Sequence, residues 1–196
     1  MCWGVNSQQT DLREQLEREY ESLTKWMLFG MLEYDFVSES MMSDENPVVE
    51  NNIPLFRVGR MAYEVIVVPG CITLRAHTIQ RLREFSVKGG RVVFMGRTPS
   101  YVDGLPSDEA AALARQAEHI PFEQLALMEA LRDQRFLDAR LLERDRPDDY
   151  RIFYRDIFPG SRINYLLHQE RRDGPEKWVF ISHAYRMEHD TEWPDL

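Results

Sequence analysis

The sequence predicts an α/β fold with a mostly parallel sheet and helices on both faces, followed by antiparallel strands of a β-rich extension. The run "EVIVVPG" is continuously apolar and β-branched, as is typical of strands buried on both faces of a parallel sheet. A helical pattern and a second run of this kind, "RVVFMG", follow it, which predicts a right-handed βαβ unit. Beyond about residue 135, aromatic alternating segments flank the turn residues of "RRDGPEKW", which predicts a hairpin.

Composition narrows the classes of function. A chain of 196 residues can build one good core, or one domain and the beginning of a second. Its net charge of -9 disfavours nucleic acid and anionic membranes, and favours a neutral or sugar-like partner. Two cysteines without a CxxC spacing predict neither a disulfide framework nor a zinc site, so we expect no metal. The sequence shows no secretory leader and no run long enough to span a bilayer, so we expect a soluble, cytoplasmic protein.

The first element is an amphipathic helix capped by Thr10 or Asp11 and ended by Gly30. Its apolar positions recur at helical spacing: Leu12, Leu16, Tyr20, Leu23 and Met27. The last turn, "WMLFGML", is apolar nearly all round, so we expect that end to be buried. The next segment, "YDFVSESMM", predicts a short strand, and "SDENPVVENNIPLFRVGRM" predicts a loop with a short edge strand from about Leu55 to Val58.

The central helix follows the first buried strand and presents Ile79, Leu82 and Phe85 to the core. It stops at Gly89 and Gly90, where a left-handed residue can cap it. Two further helices are predicted in "PSDEAAALARQAEHI" and "PFEQLALMEALRD". We therefore divide the chain into an α/β domain over residues 1–135 and a β-rich extension over residues 136–196, the latter read as the start of a β-sandwich.

Two segments of this sequence resemble a known group of proteins. They are "LTKWMLFGMLEYDFVSESMM" and "LFRVGRMAYEVIVVPGCITLRAHTIQRLREFSVKGGRVVFMGRTPSYVDGLPSD". They resemble the class I glutamine-amidotransferase-like domain that follows the catalytic barrel in large bacterial glycoside hydrolases, as in the trimerisation domain of the family 42 β-galactosidases. The tail "INYLLHQERRDGPEKWVFISHAY" resembles the start of the β-sandwich that comes next in such enzymes.

The resemblance implies a doubly wound, flavodoxin-like and amidotransferase-like domain without catalysis of its own. The glycosidic carboxylates of related proteins lie on the barrel, which would precede this chain, and only "MCWGVN" stands where related domains have their first sheet strand. The expected partners are a second copy of the chain or a catalytic barrel of the same parent protein, together with the parent's carbohydrate substrate. The candidate interface is the apolar helix end at residues 26–31 and the loop at residues 46–59. Both a fragment of a larger enzyme and a stand-alone accessory protein fit this interpretation.

Cys71 raises the alternative of a small cysteine hydrolase or amidotransferase. A cysteine at the amino end of a helix, with Arg75 one turn on, can become a thiolate. In active amidotransferase-like enzymes, however, the nucleophile lies on a strand-to-helix elbow. The resemblance places that elbow after "RVVFMG", at residues 95–99, where neither a thiol nor a hydroxyl stands at the position of the nucleophile. No histidine stands at a spacing that predicts a catalytic base for Cys71. We therefore favour a structural role for Cys71, as a small residue packed in a turn. The histidines considered are His77, His119, His168 and His183.

Two acidic residues, Glu39 and Asp103, follow predicted strand ends, the edge at which open α/β sheets bind ligands. They predict a ligand crevice together with Gly70, Cys71 and Arg97, and a free-standing ligand-binding module is a third hypothesis. A glycosidase needs two such acids across a sugar ring. The alternative, which we favour, is that Glu39 contacts a neighbouring loop or chain and Asp103 caps a turn.

Motifs for cofactors are missing from the sequence. The GxGxxG and Walker patterns are both absent, so no cofactor is expected. The tryptophans Trp26 and Trp178 lie in apolar periodic segments, which predicts that both belong to the core.

Overall fold

The computed structural model describes residues 7–30, 32–42, 47–134, 166–173 and 176–183. The chain divides into two compact units: Met1–Glu21 with Asp35–Leu127, and Ser22–Tyr34 with Met128–Leu196. The predicted boundary near residue 135 and the segment "DDYRIFYRDIF" lie outside the described residues. Among the described helices, none combines the length and the apolar character needed to cross a membrane.

The described chain is mixed α/β. Its α-helices are α1 (Ser7–Phe29), α2 (Ala76–Val87), α3 (Glu109–Gln116) and α4 (Gln124–Ala130), with 3₁₀ turns at Glu39–Met41 and Arg132–Gln134. Its strands are β1 (Val48–Glu50), β2 (Ile53–Val58), β3 (Met61–Tyr63), β4 (Val65–Val68), β5 (Thr73–Leu74), β6 (Arg91–Met95), β7 (Tyr101–Val102), β8 (Leu105–Pro106), β9 (Glu118–Ile120), β10 (Leu166–Asp173) and β11 (Glu176–His183).

A parallel sheet in the order β4-β6-β9 lies at the centre of the first unit. Helix α2 connects β4 to β6 and α3 connects β6 to β9, so the predicted βαβ unit is confirmed. The third strand, β9, was assigned to a helix from the sequence, and that prediction is wrong. Ala117 has extended backbone angles that end α3, and the short strand that follows it is too brief to show a period of its own.

The core of the first unit forms where α2 packs onto its neighbours. Ile79, Leu82 and Phe85 are fully buried, as the helical spacing predicts. The ring of Phe85 meets that of Phe56 on β2 edge to face, with centroids 5.5 Å apart. Edge-to-face aromatic pairs stabilise a fold in addition to the area that they bury. The pair therefore holds α2 against a second sheet.

The end of α2 follows the sequence prediction closely. Gly89 adopts a φ of 87°, a left-handed conformation that costs glycine little. The amide of Gly90 then donates to the carbonyl oxygen of Phe85 over 2.9 Å. A Cβ atom on Gly90 would come within 2.2 Å of the Phe85 ring. The chain can therefore enter β6 only with glycine at this point.

The second sheet is antiparallel, in the order β1-β2-β3. Asn51 and Asn52, with φ of 51° and 66°, form the turn between β1 and β2, as in type I′ hairpins. The strand predicted from about Leu55 to Val58 is present as part of β2, but it is the central strand of this sheet and not an edge strand. The sequence predicted a loop around it and missed β1 and β3, because the β-branched residues here are scattered among turn residues. The strand predicted in "YDFVSESMM" is also wrong. Instead of a ladder, that segment is held by side chains: the hydroxyl of Tyr63 donates to Asp35 Oδ2 over 2.9 Å.

The predicted burial of the last turns of α1 is correct only in part, because Trp26, assigned to the core from the sequence, is half-buried and Leu28 is exposed. Leu23 and Met27 are buried, whereas Tyr20 is exposed. The helix begins at Ser7, before the predicted caps at Thr10 and Asp11. The amide of Gly30 donates to the carbonyl oxygen of Trp26 over 2.8 Å and closes the last turn.

In the second unit, β10 and β11 form the predicted antiparallel hairpin, with a register from Leu166 opposite His183 to Asp173 opposite Glu176. Trp178 on β11 is 56% exposed, so the prediction that it belongs to the core is wrong. An alternating strand places every second residue on the same face, and the sequence does not say which face is covered.

Arg81 on α2 is a buried charge, with 3% of the residue exposed. Its Nη2 atom donates to the carbonyl oxygen of Arg57 over 3.5 Å, and its guanidinium lies 5.3 Å from the centre of the Phe56 ring. Among the described residues, neither Nε nor Nη1 has a hydrogen-bond partner, although Nη1 lies 4.0 Å from Glu84 Oε2. A buried charge with weak partners is expected to destabilise the fold.

Replacing Gly90 by alanine is expected to lower the free energy of unfolding by about 1–3 kcal/mol, because the new methyl group meets a ring that cannot move. Chemical denaturation followed by circular dichroism measures the change. Gly59→Asn is the control, since Gly59 has a φ of 57° and open space around it, and asparagine tolerates that conformation. Equal losses in both variants would contradict the steric argument.

Replacing Arg81 by methionine is expected to leave the free energy of unfolding unchanged or to raise it by about 1 kcal/mol, because poorly paired donors leave the core. Arg83→Met on the exposed side of α2 is the matched control, and we expect it to stay within about 0.5 kcal/mol of the wild type. A loss of about 3 kcal/mol or more in Arg81→Met would mean that the guanidinium stabilises the native state.

Candidate functional site

The candidate site lies at the carboxyl ends of β4 and β6. Gly70 follows β4 and Arg97 follows β6, and a Cβ atom on Gly70 would lie 3.4 Å from the Arg97 amide nitrogen. The same Cβ would lie 3.2 Å from Glu19 Oε2 on α1. The structure therefore brings Gly70 and Arg97 together, and Arg97 is exposed to solvent.

Both predicted acids of the site bind the first turn of α2. Oε1 of Glu39 accepts a hydrogen bond from the amide of Arg75 over 3.0 Å. Oδ1 of Asp103 accepts one from the amide of Ala76 over 3.3 Å. The first amides of a helix lack partners within it and carry partial positive charge, so two carboxylates stabilise this end. Glu39 and Asp103 thus meet at one place and act there as caps.

Asp103 reaches the helix because it lies in a tight turn. Asp103 and Gly104 have φ of 50° and 79°, the paired positive values of a type I′ turn between β7 and β8. The amide of Asp103 donates to the carbonyl oxygen of Leu74 over 3.0 Å, and that of Gly104 donates to Thr73 Oγ1 over 3.3 Å. The turn is bonded to the strand that leads into α2, which holds the carboxylate at the helix end.

Cys71 is half-buried and packs against the core of the first unit. Burial, and after it the negative charge of Glu39, raises the pKa of the Cys71 thiol to about 11. The sequence suggested that the helix dipole and Arg75 lower this pKa, but the helix end is already bound to carboxylates. The thiol is therefore protonated at neutral pH, whereas nucleophilic cysteines react as thiolates.

His119 on β9 has a structural contact at the same sheet edge. Its Nε2 lies 2.8 Å from the carbonyl oxygen of Gly96, to which the ring donates. The amide of Gly96 in turn donates to the carbonyl oxygen of Ile120. His119 therefore holds the turn that follows β6 against strand β9. His77 lies in the first turn of α2, while His168 and His183 belong to the hairpin of the second unit.

Sequence reasoning missed the pair formed by Tyr63 and Asp35. Burial, followed by the hydrogen bond and the charge of Asp35, raises the pKa of Tyr63 to about 12. No sequence signal joins two residues this far apart. For Asp103, the dipeptide Asp-Gly is a known signal for a type I′ turn and would have identified its role.

The arrangement offers little for acid–base or nucleophilic chemistry. Both acids already accept amide hydrogens, and the thiol is protonated. Within the described ranges, no group of three or more His, Cys, Asp or Glu side chains is placed to hold a metal ion. No protein-family model, curated protein or solved structure matches the chain.

Replacing Glu39 by glutamine is expected to lower the pKa of Cys71, because a negative charge that disfavours the thiolate is removed while an oxygen remains to cap Arg75. Alkylation by iodoacetamide at about pH 9 should become several-fold faster. The measurement uses a Cys2→Ser background, so that Cys71 is the one thiol left.

Asp103→Asn is the matched control, since it removes a carboxylate from the same helix end but not one that raises this pKa. Its alkylation rate should equal that of the parent. Rapid alkylation of the parent at neutral pH would contradict the raised pKa.

Proposed function

We propose that this chain is a non-catalytic, amidotransferase-like accessory domain of a glycoside hydrolase, acting in oligomer assembly or in shaping the substrate cleft of a neighbouring barrel. The observation that carries the proposal is the engagement of Glu39 and Asp103 as caps of α2. At this sheet edge the two acids stabilise a helix. This observation supports the role of a scaffold better than that of a hydrolytic site.

The fold supports this proposal at a coarse level. A parallel sheet with α2 and α3 as connections is the arrangement from which doubly wound domains are built. The resemblance to the domain that follows the barrel of family 42 β-galactosidases supplies the finer assignment to a flavodoxin-like, amidotransferase-like fold. It also supplies the link to carbohydrate metabolism.

The alternative of a cysteine hydrolase is disfavoured by the same geometry. A nucleophilic Cys71 needs a base and an environment that favours the thiolate. Here burial and Glu39 raise its pKa instead. The packing of Cys71 against the core supports a structural role.

Exposed apolar side chains support self-association. In the candidate interface at residues 46–59, Val49 is 53% exposed and Ile53 is 44% exposed. Val49 lies on β1, which pairs with β2 alone among the described strands, while Ile53 begins β2 opposite Glu50 and so lies on the other face of this sheet. An apolar edge strand favours pairing with another chain. In the helix end at residues 26–31, Leu28 is also exposed.

The chain is expected to self-associate and to show no turnover of aryl glycosides. Val49→Lys and Ile53→Lys should each shift the population towards the monomer, because a charge at an apolar contact must be desolvated. Light scattering coupled to size-exclusion chromatography measures the mass, and release of nitrophenol from aryl glycosides measures turnover in the same samples.

Val87→Lys is the matched control, because Val87 is exposed on α2 and lies outside both candidate segments. Its mass should equal that of the parent. A parent that is monomeric at all concentrations would refute assembly through this surface, and measurable glycoside turnover would refute the non-catalytic assignment.

A further inference from the structure

Strand β11 exposes two aromatic side chains on one face. Trp178 is 56% exposed and Phe180 is 60% exposed. Residues two apart in a strand point to the same side, and the rise per residue puts their Cα atoms about 7 Å apart. The hairpin therefore presents a short aromatic platform to solvent.

Polar residues surround this platform on the same face. Gln169 on β10 lies opposite Phe180 in the ladder, and residues opposite each other share a face. Glu176 and Ser182 continue the alternation at the two ends of β11, and all three polar residues are exposed. We call these five residues the aromatic stripe: Gln169, Glu176, Trp178, Phe180 and Ser182.

The size of the stripe indicates what it can bind. An aromatic side chain has roughly 150–250 Å² of surface, so two side chains that are just over half exposed offer roughly 200–300 Å². A standard protein interface needs about 800 Å² from each partner. The stripe is too small to supply such an interface, but it is adequate for a small ligand with a flat apolar face.

The charge of the chain indicates the class of that ligand. Exposed aromatic residues also stack on nucleic-acid bases, but such sites lie in positively charged grooves. This chain has a net charge of -9, and although the ladder places Arg171 opposite Trp178 on this face, it also places Asp173 opposite Glu176 there, so the face is not basic. A sugar ring has a flat face of C–H groups and hydroxyls around its rim, which match an aromatic platform edged by an amide, a carboxylate and a hydroxyl.

We propose that the aromatic stripe of β10 and β11 binds a neutral saccharide, with Trp178 and Phe180 stacking on the sugar faces and Gln169 bonding a hydroxyl. The class of ligand rests on the proposed function, whereas the stripe itself is independent of Glu39, Cys71 and the self-association surface.

The test is affinity electrophoresis of the full chain through gels that contain galactan, arabinan or hydroxyethylcellulose, with titration calorimetry on the polysaccharide that retards it. Trp178→Ala and Phe180→Ala should each weaken binding by roughly tenfold or more, as truncation of a stacked aromatic does. Gln169→Ala should weaken it less. Polygalacturonic acid, a polyanion, should not retard the chain.

Phe36→Ala is the matched control, since Phe36 is an aromatic residue with 55% exposure in the other unit. It should bind like the parent. The proposal is overturned if no neutral polysaccharide retards the parent, if Phe36→Ala loses as much affinity as Trp178→Ala, or if the stripe variants alter the mass of the chain instead. Turnover or a monomeric parent would refute the proposed function while leaving retardation by a saccharide unaffected, so the two failures are distinguishable.

Discussion

The edge-to-face contact between Phe85 and Phe56 is the interaction on which the first unit depends. It holds α2 against the antiparallel sheet, while Val93 and Phe94 of β6 are buried in the parallel sheet that α2 joins. The Phe85 ring also leaves no room for a side chain at position 90, which is glycine. Because this contact fixes the position of α2 on the sheet, the first amides of the helix lie where loops from distant parts of the chain can reach them.

The amino end of α2 is consequently the place where the fold sets the properties of the candidate site. A helix terminus at the carboxyl edge of a parallel sheet is well suited to bind an anionic ligand. Here Glu39 and Asp103 occupy the amides of Arg75 and Ala76. Of the two, Glu39 also brings negative charge close to Cys71, so it stabilises the helix and disfavours the thiolate at once.

Longer elements could be predicted from the sequence, and the shortest could not. The βαβ unit from β4 to β6 and the hairpin of β10 and β11 have patterns long enough to show a period. Strands β5, β7, β8 and β9 have two or three residues each, too few for any period. The predicted strand at residues 34–42 failed for another reason: a strand needs a neighbouring ladder, and the segment is bound through side chains such as Asp35.

The sequence by itself determined the βαβ unit, the glycine end of α2 and the acidic character of the chain, because these follow from local pattern and composition. It also placed Gly70, Cys71, Arg97 and Asp103 near strand ends, whereas Glu39 lies in a 3₁₀ turn and does not follow any described strand. Only the tertiary structure decided what those residues do. Glu39 is 36 residues from Arg75 along the chain, and the protonation of Cys71 depends on burial and on charges brought close by folding. Distances between groups remote in sequence are set by packing, and no local pattern encodes them.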